Sequence, residues 1–171
     1  ISHAFNLVDG LNGLSLFTII GVSMSLCLIS LRVNDLSTAL FCMAFMAAAV
    51  GLLVVNFPFG KIFLGDAGAY SSGHILAWVA IILIYKHPQI SAWSILLCFF
   101  WPVIETLYSI YRRKSRGIKA LTADNYHFHH LVYKNIAIKM GRGTLDITIN
   151  SMSTLVITPF LILSGFFSYL F

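Results

Sequence analysis

Apolar residues gather along this chain in five long blocks separated by shorter polar stretches, a pattern that predicts membrane-crossing helices. The blocks run from Leu14 to Leu31, Leu36 to Val55, Ala69 to Tyr85, Ile90 to Tyr111 and Asp146 to Phe171. Each approaches the roughly 20 residues that a bilayer core requires. In the second block Ala44 and Ala48, like Ala47 and Gly51, stand four apart, so that helix is expected to pack closely against another. Pro102 and Pro159 are expected to bend the fourth and fifth, as membrane helices tolerate. The expected fold class is all-α: one membrane domain over residues 1–171, a polytopic transmembrane bundle of about five spans.

Composition strengthens this picture. Of 171 residues, 58% are hydrophobic and 10% charged, with a mean hydropathy of +0.87, whereas soluble domains carry about 25% charged residues. The net charge of +5 would suggest a nucleic-acid partner in a soluble protein, but its distribution excludes that reading. Five spans put residues 1–13, 56–68 and 112–145 on one side. That side holds Lys61, Arg112, Arg113, Lys114, Arg116, Lys119, Lys134, Lys139 and Arg142, and the other only Arg32 and Lys86. The asymmetry marks the first side as cytoplasmic. Cys27, Cys42 and Cys98 lie inside apolar runs without metal-ligand spacing and read as small buried hydrophobes. No cleavable signal peptide is expected, since the first apolar run lacks a basic flank and a small-residue cleavage site.

The cytoplasmic side collects the polar motifs. Asp66 stands between Gly65 and Gly68 in the loop Gly60-Lys61-Ile62-Phe63-Leu64-Gly65-Asp66-Ala67-Gly68, at the mouth of an apolar run where a carboxylate is costly. Flanking glycines expose backbone N–H groups to a phosphate, and the carboxylate is available to a divalent cation; a plain turn between helices is the alternative. In Asn6-Leu7-Val8-Asp9-Gly10-Leu11-Asn12-Gly13, helical geometry would put Asn6, Asp9, Gly10 and Gly13 on one face that suits a flat polar ligand such as a nucleotide. Asp9 and Asn12 acting only as caps for the next helix is the other reading. His127, His129 and His130 fall within four residues and suit either a transition metal or phosphate oxygens. Glu105, in the fourth block, stands seven residues before Arg112, so it either reaches toward that arginine or has a direct role. His74 is expected to be a hydrogen-bonded histidine near the interface, and Leu131 to Arg142 an interfacial helix.

Four stretches taken in order, NLVDGLNG, NFPFGKIFLGDAG, PVIETLYSIYRRKSRG and DNYHFHHL, cover nearly the whole chain and resemble the polyprenyl-phosphate N-acetylhexosamine-1-phosphate transferases, the glycosyltransferase 4 family that includes phospho-MurNAc-pentapeptide translocase. The spaced histidines look more like the branch that initiates O-antigen, enterobacterial common antigen or teichoic acid. The resemblance implies a multi-pass protein of the bacterial inner membrane that moves a sugar-1-phosphate from a UDP-sugar to undecaprenyl phosphate, releasing UMP. It implies that Asp66 binds Mg²⁺, with Mn²⁺ an alternative, and that Asn6, Asp9 and Asn12 line the nucleotide-sugar site with Asn56 and Lys61 beside it. It further implies that His127, His129 and His130 meet the diphosphate or the lipid phosphate. Asn12 and Glu105 stand where many relatives have aspartate. By the same resemblance the chain corresponds to the carboxy-terminal half of a longer transferase, whose amino-terminal half carries a paired aspartate. A homodimer, a split enzyme, an inactive fragment and an ion- or metal-transporting subunit are the other assignments the sequence leaves open.

Overall fold

The computed structural model describes residues 1–115, 127–141 and 143–170. Arg116, Lys119, Asp124, Asn125, Tyr126 and Arg142, all named above, lie outside the described residues. Eight helices make up the described chain: α1 (Ser2–Val8), α2 (Leu14–Arg32), α3 (Leu36–Asn56), α4 (Gly65–Lys86), α5 (Ala92–Cys98), α6 (Phe100–Ser115), α7 (Phe128–Met140) and α8 (Asp146–Leu170). Helices α2, α3, α4 and α8 are long and apolar enough to cross a membrane, at the places the hydropathy pattern predicts.

The fourth block is sharply bent. It divides into α5 and α6, which meet at 76°. Proline explains the position of the break: Pro102 has no N–H for the carbonyl of Cys98 four residues back, and its ring crowds that carbonyl. The helix stops at Cys98, Phe99 bonds back to Leu96, and Pro102 falls in the first turn of α6, where proline is tolerated. Helix α8 runs through Pro159 without a break.

Helix α2 is the central post, packed by α3, α4, α5 and α8, and its Leu16, Ile19, Val22, Leu26 and Ile29 form the middle of the core. Helix α3 packs closely on α2, as expected, but not through its small-residue pairs. Ala44, Ala47, Ala48 and Gly51 are exposed, and α3 buries Thr38, Ala39, Cys42, Ala49 and Asn56 instead. The stripe through Cys42 and Ala49 lies on α2, and the small pairs, on other sides of the cylinder, are left open.

Polar contacts segregate to the two ends of the bundle. At one end Asp35 caps α3 and meets Lys86 and His87 at 3.4 and 3.2 Å, while Arg32 donates to the Tyr169 carbonyl. The Ser37 hydroxyl and the Thr38 N–H hold the Asp35 carboxyl well below the usual carboxylate range. At the other end lie the turn between α1 and α2, the α3–α4 loop and the first turns of α7 and α8, tied together as described next. The three cysteines are buried and free, as expected, and His74 accepts a hydrogen bond from the Trp78 indole at 3.0 Å.

Candidate active site

Residues 9–13 form the hub of the site. Helix α1 ends at Val8, so Asp9, Gly10 and Gly13 leave the helix and the expected helical face with Asn6 does not form. The glycines at 10 and 13 and the polar residues at 9 and 12 favour a turn over further helix. Asp9 accepts from the Ser15 hydroxyl at 2.6 Å, and neither Asp9 nor Asn12 caps the backbone of α2, whose N-cap is Gly13.

Asn12 and Asn56 stand behind the turn. Asn12 is 5% exposed; its side chain donates to the Pro58 carbonyl, its N–H to Asn150, and its carbonyl accepts from Thr154. Asn56 is 2% exposed, accepting from the Gly13 N–H and donating to the Ile62 carbonyl. Asn12 through its Nδ2 and Asn56 through both ends of its amide are engaged with backbone. They are the pegs that hold the loops in register. Ser151 adds a third bond, to the Pro58 carbonyl.

On one flank of the turn is Asp66. Its Oδ1 accepts from the Asn6 amide at 2.8 Å, and the side chain is otherwise open to solvent in the first turn of α4. Gly65 is required just before it, since its φ of +70° is a conformation that side chains resist, and the space around its Cα is empty. The N-terminus of a long helix, bare N–H groups and an exposed carboxylate lie together there, an arrangement suited to a cation bridged to an anion. Lys61 is exposed in the same loop, over the Phe59 ring.

On the other flank are the histidines. The buried stripe of α6 carries Trp101, Glu105, Ser109 and Arg112 at helical spacing, so a carboxylate and a hydroxyl face inward. Glu105 is 1% exposed and turns toward α7, where Oε1 accepts from the Phe128 N–H at 2.7 Å and pairs with His129 Nδ1 at 3.1 Å. His127 Nδ1 lies 2.9 Å from the Ser109 hydroxyl. The rings of His129 and His130 approach to 4.3 Å, and His127 and His129 stack in parallel at 5.5 Å. The three histidines thus form one cluster, as their spacing suggests. Ser109 and Ser15 escaped the sequence reading; the signal for Ser109 was its position one turn after Glu105 in an otherwise apolar block.

Burial, then the neighbouring His129 and His127, push the His130 imidazole down to about 4 from 6.5. Between those values an unfolded chain binds a proton that the folded cluster refuses, so this group makes the fold less stable as pH falls through that window. Thermal unfolding in detergent at pH 7.5 and 4.5 should show a lower midpoint in acid, and His130→Gln should shrink that difference.

Residues 1–84 match the sequence model of glycosyl transferase family 4. The chain is also 33% identical over 144 residues to the phospho-N-acetylmuramoyl-pentapeptide-transferase of Clostridium perfringens, an alignment covering 81% of this chain and 43% of that protein. The chain belongs to glycosyl transferase family 4. Another family 4 relative, the undecaprenyl-phosphate alpha-N-acetylglucosaminyl 1-phosphate transferase of Escherichia coli K12, is 30% identical over 142 residues, 77% of this chain and 37% of its own length. A third, the probable undecaprenyl-phosphate N-acetylglucosaminyl 1-phosphate transferase of Bacillus subtilis, is 28% identical over 134 residues, 76% of this chain and 37% of its own. The chain thus spans less than half the length of the curated family 4 relatives it matches.

Proposed function

We propose that this chain supplies the cytoplasmic face of a family 4 enzyme that transfers a sugar-1-phosphate, an N-acetylhexosamine-1-phosphate by its relatives' names, from a UDP-sugar to undecaprenyl phosphate. The observation that carries this reading is the hub: one turn, residues 9–13, is flanked by the Asn6–Asp66 pair and by the histidine cluster on α7. A carboxylate and imidazoles on two flanks of one turn suit a substrate with two linked phosphates. In the reaction an oxygen of the lipid phosphate bonds to the sugar-bearing phosphorus, and the bond from that phosphorus to UMP breaks.

No cluster of three histidine, cysteine or carboxylate ligands occurs among the described residues, so a closed metal cage is not what they build. Magnesium seldom uses one; it takes one or two carboxylates and completes its shell with water and substrate phosphate. The exposed Asp66, with one oxygen on Asn6, fits that habit. Bound there, Mg²⁺ would neutralise charge on the diphosphate and favour departure of UMP. The protein's own contribution is placement: Asn6 orients Asp66, Asp9 takes the Ser15 hydroxyl at the turn, Lys61 adds positive charge, and His127 and His130 stand together on the other flank. A phosphate monoester with a second pKa near 6 is largely dianionic at neutral pH, which lessens the need for a strong base.

A lipid tail also has a place to go. An apolar cavity of about 330 Å³ opens beside Glu105, walled by Phe100, Trp101, Ile104, Tyr108 and Phe128 on α6 and α7. Membranes containing the complete protein should incorporate labelled sugar phosphate into an undecaprenyl lipid, and chelation of divalent metal should stop them. Metal flux in vesicles without any nucleotide sugar would favour a transporter. Activity restored only on adding an amino-terminal partner would identify a split enzyme.

A further inference from the structure

We infer that Glu105 and His129 form a buried positioning pair: Glu105 holds His129 as its Nδ1–H tautomer, and the imidazole seats α7 on the α1–α2 turn instead of touching the ligand. The importance of this pair for turnover rests on the transferase reading above; its geometry does not. His129 is 1% exposed, too enclosed to present a face to substrate, whereas Gly10 beneath it is open to solvent.

One carboxylate oxygen does two jobs. Glu105 Oε1 accepts the Phe128 N–H, an orphan donor of the first turn of α7, and the proton on His129 Nδ1. An ionised carboxylate only accepts, so the imidazole must donate from Nδ1, leaving the Nε2 lone pair on the far side of the ring. That far side meets Gly10: a Cβ built on Gly10 would lie 2.4 Å from His129 Nε2. Gly10 is therefore glycine for want of room, and the ring bridges α6 and the turn that Asp66 flanks through Asn6.

Stability alone does not explain Glu105. Its Oε2 is buried with no hydrogen-bond partner among the described residues, at the wall of the apolar cavity. A half-satisfied carboxylate in such surroundings is costly, and an apolar side chain of similar volume would be expected there if packing were its only task. What the carboxylate adds is orientation of the imidazole, the role a second acid plays toward a histidine in other sites. His127 and His130, whose rings sit 5.5 and 4.3 Å from His129, then inherit their positions from it.

The test uses the complete protein in detergent, with ¹⁵N-labelled histidine and His129→Asn to assign the resonance. In the wild type His129 should show a protonated Nδ1 and an unprotonated Nε2; Glu105→Gln, which keeps an acceptor for Phe128, should mix the two tautomers. In transfer assays His129→Asn, whose amide stands in for Nδ1–H, should retain activity within about threefold, while His129→Ala and Glu105→Gln each lose about 10- to 100-fold, the usual range for such supporting partners. The His129→Ala and Glu105→Gln losses should not add in the double variant. The inference falls if His129 is protonated on Nε2 in the wild type, if His129→Asn is as damaged as His129→Ala, or if these variants lower the melting temperature while turnover per folded molecule is unchanged. A wild type with the stated tautomer but no sugar-phosphate transfer would overturn the transferase reading and leave the pair standing.

Discussion

Asp66→Asn should cut sugar-phosphate transfer by at least about 100-fold, more than the loss of a merely supporting partner, without reducing the amount of protein in the membrane. The asparagine oxygen can still accept from the Asn6 amide, so the local hydrogen bond survives. The side chain is exposed, so no buried charge is created or removed. What disappears is the negative charge on the open side of the carboxylate. A hydrogen bond survives that change, and an Mg²⁺ site built on one protein carboxylate does not. Asp66→Glu is a useful companion, because the charge returns on a longer arm. Ordinary turnover by Asp66→Asn, measured by incorporation of labelled sugar phosphate at saturating Mg²⁺, would remove Asp66 from the metal site.

The second large effect is on stability. Asn56→Leu keeps the branching and the number of side-chain heavy atoms, yet it strips partners from the Gly13 N–H and the Ile62 carbonyl. Each buried group left bare costs about 1–3 kcal/mol, so the pair comes to about 2–6 kcal/mol, a large share of the 5–15 kcal/mol that typical domains possess. The midpoint of thermal unfolding in detergent should fall sharply. Equal melting of Asn56→Leu and the wild type would mean that the loop is held by something other than this amide.

These two residues also show what could be read from sequence. The spans were legible because a bilayer imposes length and apolarity on every crossing, and four of the five blocks form helices at their predicted places. Asp66 was legible as a candidate because a carboxylate among glycines at the mouth of an apolar block is costly there. The roles of Asn12 and Asn56 were not, since an asparagine in a polar motif looks the same whether it faces ligand or backbone, and only its partners tell. The break before Pro102 was half legible. Proline announced a disturbance, but its size, 76°, depends on what α6 packs against. Glu105 was ambiguous for a similar reason. Spacing put Arg112 on its face of α6, yet the contact that captured it comes from α7, 23 and 24 residues further along. The close packing of α3 was legible but not the face it uses, because spacing describes what a helix permits and not which neighbour arrives.

Asn12 joins segments 46, 138 and 142 residues distant through its side chain, its N–H and its carbonyl. The clasp therefore cannot close during synthesis until the stretch through Thr154 has left the ribosome and entered the bilayer. A chain halted before that point would own α1 to α4 and the Asp66 loop but not the ties from α8 to the turn, so the turn should set late and in one step.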